Sequence, residues 1–386
     1  MATADSERPP ASTFGVPWPA LNDGLTYSDV VKSISPDTTL LQFYSSEYAS
    51  SAPVQGWLQR IKNGQITIDG QVVTDPETTL RIGSVLVYHR FPWEEPYASY
   101  KLEVLYEDDD VIALNKPSGL QVLPGGLFQQ RTVLTQLQWQ ANKSTSSSCI
   151  SRTLVVKDRH PVPVHRLGRG TSGILLCAKT KHAKVRLASY FADGTSAVKR
   201  KFHTDAECLR KVFKLYRALV TGIIELDEVV IESPIGVIHY PGVSKGLYVA
   251  SSSGKPALSK AIVLERNVQR NQTLVQVEIQ SGRPHQIRIH LAFIGHPLVG
   301  DPLYVSGGRP NCIPSERTDD NFAEDGGYRK PSKPVPGDCG YHLHAHKLVL
   351  CHPSTNQRIE ITAPPPPMLR VRGELDQAEA AEKMPA

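Results

Sequence analysis

The chain has 386 residues, 40% of them hydrophobic and 21% charged, which is ordinary for a soluble protein that buries a real core as one large domain with smaller attachments. Lys and Arg exceed Asp and Glu by 43 to 38, giving a formal charge of +5 and a pI near 8.8: compatible with a polyanionic partner without demanding one. No apolar run approaches the roughly 20 residues that a membrane-crossing helix needs, so a membrane role is excluded from the expectations.

Met1 to Thr13 carries Asp5 and Glu7 and has no apolar centre, unlike a secretory signal or an organelle transit peptide. The six cysteines include no CxxC pair, and a reduced, intracellular protein is expected, with Cys177 a buried hydrophobe. Residues 1–26, rich in Pro, Ser and Ala at the start, are expected to form a disordered lead. Residues 27–90 read as a small unit. Within it Val54, Trp57, Leu58 and Ile61 share one helical face, and Ile66 and Ile68 alternate with polar residues before the hairpin turn Asp69-Gly70. LRIGSVLVYHR supplies its closing strand.

Residues 91–100 read as a linker, and 101–366 as the main domain. There KLEVLYEDDDVIALNK predicts two strands around an acidic turn, whereas Thr135 to Asp158 gives little signal. GILLCAK is a buried strand; Ala183, Leu187, Ala188 and Phe191 recur at helical spacing. KLYRALV and TLVQVEIQ are further strands, and Ile287, Leu291 and Ile294 mark one face of a helix. Residues 306–338, rich in Pro, Gly and charge, read as a surface insertion, and 367–386 as a tail. Many strands with few helices predict an α+β domain with a mostly antiparallel sheet.

Three segments carry candidate chemistry. In PVHRLGRGTSGILLCAK, His165 and Arg166 precede a glycine-rich turn into a strand, where Arg166 could reach a phosphate or fill the place of a displaced base; a plain strand-entry loop is the alternative. In SGRPHQIRIHL, Arg283, His285, Arg288 and His290 offer clustered donors for an anion, against the alternative of a solvated basic helix face. In KLYRALVTG, Tyr216 stands among small apolar neighbours with Arg217 on the opposite face, and could stack on a base or simply fill core. His342, His344 and His346 alternate along one strand, but their spacing matches no paired Cys/His ligand pattern, so no metal is expected. There is no GxxxxGK[ST] loop and no GxSxG elbow.

Taken in order, NKPSGLQVLPGG (Asn115 to Gly126), HRLGRGTSGILLCAK (His165 to Lys179), YRALVTG (Tyr216 to Gly222), GKPA (Gly254 to Ala257), GRPHQIRIHLAFIGHPLVGDPLY (Gly282 to Tyr304) and LHAHKLVLCHP (Leu343 to Pro353) resemble the RluA-type family of RNA pseudouridine synthases. The small unit is similar to the RNA-binding domain first described in ribosomal protein S-four, with Arg60 and Lys62 on its RNA-facing helical side. The resemblance implies a pseudouridine synthase fold, an RNA partner, a monomer, and a reaction without metal or cofactor. A uridine is flipped out, its N1–C1′ bond breaks, the uracil turns, and C5 joins C1′. It further implies that a carboxylate acts at the ribose, that an arginine, here Arg288, holds that carboxylate ionised, and that a tyrosine, here Tyr216, stacks on the uracil. Arg166 would fill the gap left by the base, His165 and Thr171 would shape the loop, and Lys116 and Arg283 would add RNA contacts.

The carboxylate belongs directly after His165-Arg166-Leu167, where this chain has Gly168. Glycine can neither attack nor accept a proton. The expectations are therefore an enzyme with a relocated acid (Asp158, Asp193 and Asp301 being nearest to motifs), an enzyme that draws the group from its substrate or a partner, or a catalytically silent RNA binder. In either case Arg288 is expected to lack a carboxylate partner.

Overall fold

The computed structural model describes residues 12–146, 160–196, 212–240, 243–310, 325–327 and 337–374. They fall into two compact units, the larger drawn from 1–18, 97–313 and 336–386 and the smaller from 19–96 and 314–335.

The larger unit is an α+β structure on an 11-stranded sheet. From one edge the strands are Thr13–Phe14, Leu102–Glu107, Val111–Lys116, Ser172–Ala178, Leu343–Cys351, Val212–Thr221, Gln272–Ile279, Ser259–Asn267 and Glu228–Ile231, with Val162–Pro163 and Arg358–Thr362 pairing off this path. Every pairing is antiparallel except one. Ser172–Ala178 and Leu343–Cys351 run side by side in the same direction, joined at His344↔Ser172 and Ala345↔Gly173. The glycine is required there: a Cβ on Gly173 would stand 2.3 Å from the Ala345 carbonyl, and its φ is +101°. The GILLCA strand is apolar at nearly every position because both its faces are covered. On one face Lys181–Ser196 lays Ala183, Leu187 and Tyr190 against Val111, Ala113, Ile174 and Leu176; on the other, Leu114, Leu175 and Cys177 meet Val133 and Leu137.

Two stretches differ from the sequence expectation. Val133–Ser146 is a helix held by Val133 and Leu137, one turn apart, a signal too short to stand out from its polar surroundings. Residues 12–18 are not a disordered lead. Thr13–Phe14 extends the sheet, the Val16 backbone N–H donates to the Gln136 side chain and its carbonyl accepts in return, and the Trp18 indole donates to the Ala98 carbonyl. Phe14 and Trp18 supply the apolar contacts that the Pro/Ser-rich composition obscures. Of the other residues singled out, Asp158 and the side chain of Asp193 lie outside the described residues, as do Cys149, Cys208 and Cys312.

The smaller unit orders its four strands as Leu25–Val30, Val85–Arg90, Ile66–Ile68 and Gln71–Val73, with helices Leu40–Glu47 and Val54–Lys62. A capping box between Thr39 and Gln42 starts the first helix. Asp69 and Gly70 turn the hairpin with φ of +49° and +84°, as an Asp-Gly pair allows. Trp57 and Ile61 are buried as expected, but Val54 is exposed. Arg60, expected to face RNA, is 3% exposed. Its guanidinium lies 4.4 Å from the Trp57 ring and 4.8 Å from the Tyr88 ring, and it donates to the Asp325 carbonyl and the Ser51 hydroxyl. Position 60 is one turn on from Trp57, so it shares the buried face, and two aromatic rings accept its charge. Lys62 is exposed. Residues 325–327, from the stretch read as an insertion on the main domain, pack here instead, and the Asp325 carboxylate lies 3.4 Å from Arg90.

Candidate active site

Parallel neighbours begin at the same edge of a sheet. The loops that enter Ser172–Ala178 and Leu343–Cys351 therefore lie next to each other, and the antiparallel strand Val212–Thr221 runs past them with Tyr216 opposite Ala345. The pairing slips between Leu215 and Tyr216, a bulge that re-aims the tyrosine. Tyr216 packs both on the cluster holding Leu167 and Ala345 and on the cluster holding Tyr341 and Ile287. The HRLGRGT, YRALV and HQIRIH segments are thus brought together, as the sequence spacing alone could not show. Burial pushes the Tyr216 phenol up to about 12, so it is protonated at neutral pH and suited to stacking or donating rather than to abstracting a proton.

Several residues expected to meet RNA instead build the loop. Lys116 is fully buried, and its ammonium donates to the carbonyls of Pro117, Leu120 and Arg169 at 2.8, 2.7 and 3.1 Å. Three donors meet three acceptors; Lys116 ties the NKPSG turn to the HRLGRG turn and reaches no solvent. Ser118 repeats the tie through the Gly170 carbonyl at 2.7 Å. The His165 ring faces inward: Nε2 accepts from the Leu176 backbone N–H, and the ring stacks on Phe191 at 4.8 Å. Burial, then the neighbouring Lys214 charge, lowers its pKa to about 3, so it stays neutral. Thr171 is buried with its hydroxyl 3.2 Å from the Tyr341 hydroxyl. Arg166 is exposed, whereas Arg283 is partly buried and donates to the Pro256 carbonyl.

Arg288 does not lack a partner. Its Nε and Nη2 donate to Asp301 Oδ2 and Oδ1, both at 2.7 Å, with side-chain exposures of 2% and 0%. Asp301 Oδ1 also accepts the backbone N–H groups of Leu303 and Tyr304. Its oxygens are turned into protein and committed, so this carboxylate is the structural counter-ion of Arg288 and not the relocated acid. What remains open is Nη1, buried and without a hydrogen-bond partner among the described residues. The guanidinium is sandwiched between Tyr341 and Tyr304, at 4.3 and 5.0 Å from the ring centroids. His285, at the start of the Arg288 helix, adopts a left-handed φ of +55° and bonds the Tyr304 hydroxyl at 2.9 Å. Burial, then the Arg288 charge, lowers its pKa to about 4.

The φ of position 168 is not in the left-handed region, so the backbone does not require glycine. A Cβ there would stand 2.8 Å from the Tyr341 hydroxyl. The phenol fills the volume through which a side chain at 168 would leave the backbone. One residue on, Arg169 forks onto Asp338: Nε to Oδ1 at 3.0 Å, Nη2 to Oδ1 at 2.5 Å, and Nε to Oδ2 at 3.3 Å. The Gly170 N–H donates to the Asp338 carbonyl, an approach possible because a Cβ on Gly170 would fall 2.6 Å from that oxygen. Asp338 and Tyr341 escaped notice in the sequence because they stand at the far end of a Pro- and Gly-rich stretch. Only their place just before LHAHKL hinted that they reach the same edge.

The alternating histidines serve packing. His344 and His346 both donate to the Ala363 carbonyl, at 3.3 and 2.8 Å, and the Ser172 hydroxyl meets His344 Nδ1 at 2.9 Å.

Comparison with known proteins places this arrangement. A family model described as RNA pseudouridylate synthase matches residues 110–293. RNA pseudouridine synthase 5 of Oryza sativa subsp. japonica is 62% identical over 380 residues, covering 96% of this chain and 95% of that protein. RNA pseudouridine synthase 5 of Arabidopsis thaliana is 63% identical over 372 residues, covering 95% of this chain and 99% of that one. Among solved structures, human RNA pseudouridylate synthase domain containing 1 is similar with a TM-score of 0.46 at 23% identity, covering 76% of this chain and 100% of that chain.

Proposed function

The chain belongs to the RNA pseudouridine synthase family, and on that premise we propose that its larger unit isomerises uridine to pseudouridine in a structured RNA such as rRNA or tRNA, as an intracellular monomer without metal or cofactor. The observation that carries the reading is the convergence, at the parallel strand junction, of Tyr216, the Arg288 guanidinium with its open Nη1, and the turn at which Arg166 and Gly168 are exposed. Extracting a base from its stack costs a few kcal/mol. Tyr216 offers a ring to stack on the uracil, and Arg166 an exposed cation to occupy the vacated place or hold a phosphate. Arg288 Nη1 is a buried donor with no protein acceptor among the described residues, suited to a uracil carbonyl or ribose oxygen. The smaller unit, read as S-four-like, adds RNA contacts through exposed Lys62 rather than through Arg60.

The test is a transcriptome-wide pseudouridine map of cells lacking the protein, with rescue by the native chain, Tyr216→Phe and Tyr216→Ala. The native chain should restore a discrete set of sites. Tyr216→Phe, which keeps the ring, should retain part of the rate, and Tyr216→Ala should lose it by about 10²-fold or more. No site restored by a native chain that still binds RNA would mark a silent binder.

A further inference from the structure

Position 168 holds no carboxylate, and Asp301 is sequestered by Arg288, yet the chemistry of the proposed reaction calls for an acid beside the ribose. Among the described residues one carboxylate meets the requirement by geometry. Asp338 lies at the same sheet edge as Gly168, because the two loops enter parallel neighbouring strands and touch backbone to backbone through Gly170. An arginine orients it: Arg169, directly after the vacant position, grips Oδ1 with two donors at 3.0 and 2.5 Å. Only a longer 3.3 Å contact from Arg169 reaches Oδ2 among the described residues, and the Asp338 side chain is 32% exposed against 0% for Asp301. One oxygen is anchored and the other is presented.

We propose that Asp338, oriented by Arg169, is the catalytic carboxylate of this chain, supplying from the Leu343–Cys351 side of the junction what Gly168 cannot supply from the other. The proposal rests on the synthase reading above. In the step it implies, Oδ2 adds to C1′ of the flipped uridine as the N1–C1′ electron pair departs onto the uracil, leaving a ribosyl ester and a uracil anion. The uracil turns, C5 bonds to C1′ and displaces the carboxylate, and the proton shed from C5 is matched by the one taken up at N1. The product is an isomer of the substrate and the carboxylate is regenerated. Tyr341 fits the same scheme: its hydroxyl occupies the space that a side chain at 168 would need, so the carboxylate must come from another direction.

The test uses the full chain in the rescue system above, with Asp338→Asn, Asp338→Glu, and a triple variant Asp338→Asn/Gly168→Asp/Tyr341→Phe that returns an acid to position 168 and clears its path. Asp338→Asn should lower the rate at every restored site by about 10³-fold or more while keeping its melting temperature and RNA affinity. Asp338→Glu should retain measurable activity, and the triple variant should regain sites. Native-level pseudouridine from Asp338→Asn would overturn the assignment and leave the synthase reading intact. An Asp338→Asn chain that is unfolded at the assay temperature would show the pair to be structural, and would overturn the assignment too. If the native chain restores no site, the synthase reading fails and the assignment falls with it.

Discussion

Two arginine–carboxylate pairs stand in the larger unit, alike in chemistry and opposite in setting. Arg288–Asp301 is closed, with both side chains at 2% exposure or less, while Arg169–Asp338 is half open, at 10% and 32%. In the closed pair both carboxylate oxygens are taken by the guanidinium, and one also by two backbone N–H groups, so nothing is left for a substrate. In the open pair one oxygen takes the two shorter of the three bonds and the other only the 3.3 Å contact. Burial makes an ion pair costly to break by removing one partner and at the same time withdraws it from chemistry; partial exposure does the reverse.

The sharpest test of that contrast is removal of the closed pair's acid. Asp301→Ala strands a buried guanidinium and should destabilise the larger unit by about 3–5 kcal/mol, read by denaturant unfolding. A loss below about 1 kcal/mol would show that Arg288 is solvated or re-paired and would erase the distinction. This is also why Arg288→Ala is a poor probe of catalysis: it strands Asp301 in turn.

Next in size is Lys116, which fastens the loop that carries the open pair. Lys116→Met takes a donor from three carbonyls, the Arg169 one keeping the Gly119 N–H, and should cost about 3 kcal/mol, with activity falling further than stability because the Arg169 backbone is one of the three. Equal stability in the variant would mean that the two turns hold together without it.

Lys116 also marks how far the sequence could be read. The strands GILLCAK, KLYRALV and TLVQVEIQ were legible because burial on both faces or strict alternation leaves a pattern of its own. The grouping of the HRLGRGT, YRALV and HQIRIH segments was legible only through family resemblance, since nothing in their spacing specifies a parallel junction. The direction of each charge was not legible. Lys116 and Arg60 are cations that nothing in their local sequence marks as buried, yet one is enclosed by carbonyls and the other by aromatic rings, with Arg169 and Tyr88 brought in by distant segments. The partner of Arg288 is illegible for the complementary reason: it lies 13 residues away across a turn, where no spacing rule pairs the two.

Acid should weaken the larger unit progressively. His290 and His344 are 0% and 1% exposed, and burial lowers both pKa values to about 4 from the ordinary value near 6.5. Between those values the unfolded chain binds more protons than the folded one, so stability is lost as pH falls below about 6.5, by roughly 1.4 kcal/mol per pH unit for each imidazole. Thermal melts between pH 7 and pH 5 check this. A flat profile would mean that these rings are already charged at neutrality, against the single-donor pattern seen for His290, whose Nε2 donates to the Ser233 carbonyl while Nδ1 faces the Ser259 hydroxyl.

The smallest expected effect on stability belongs to the open pair, and it completes the comparison. Asp338→Asn keeps a carbonyl oxygen for Arg169, leaves the Gly170 N–H bonded to the residue-338 backbone, and removes only a partly screened charge. Such pairs contribute about 0–1 kcal/mol, and 0.15 M salt screens them further. The melting temperature should therefore move by no more than a few degrees, where Asp301→Ala moves it by many. A large shift would mean that Arg169–Asp338 clamps the two loops as firmly as Lys116 does. A small one leaves the carboxylate with no structural task that accounts for a partly exposed charge at the sheet edge where the family's acid is missing.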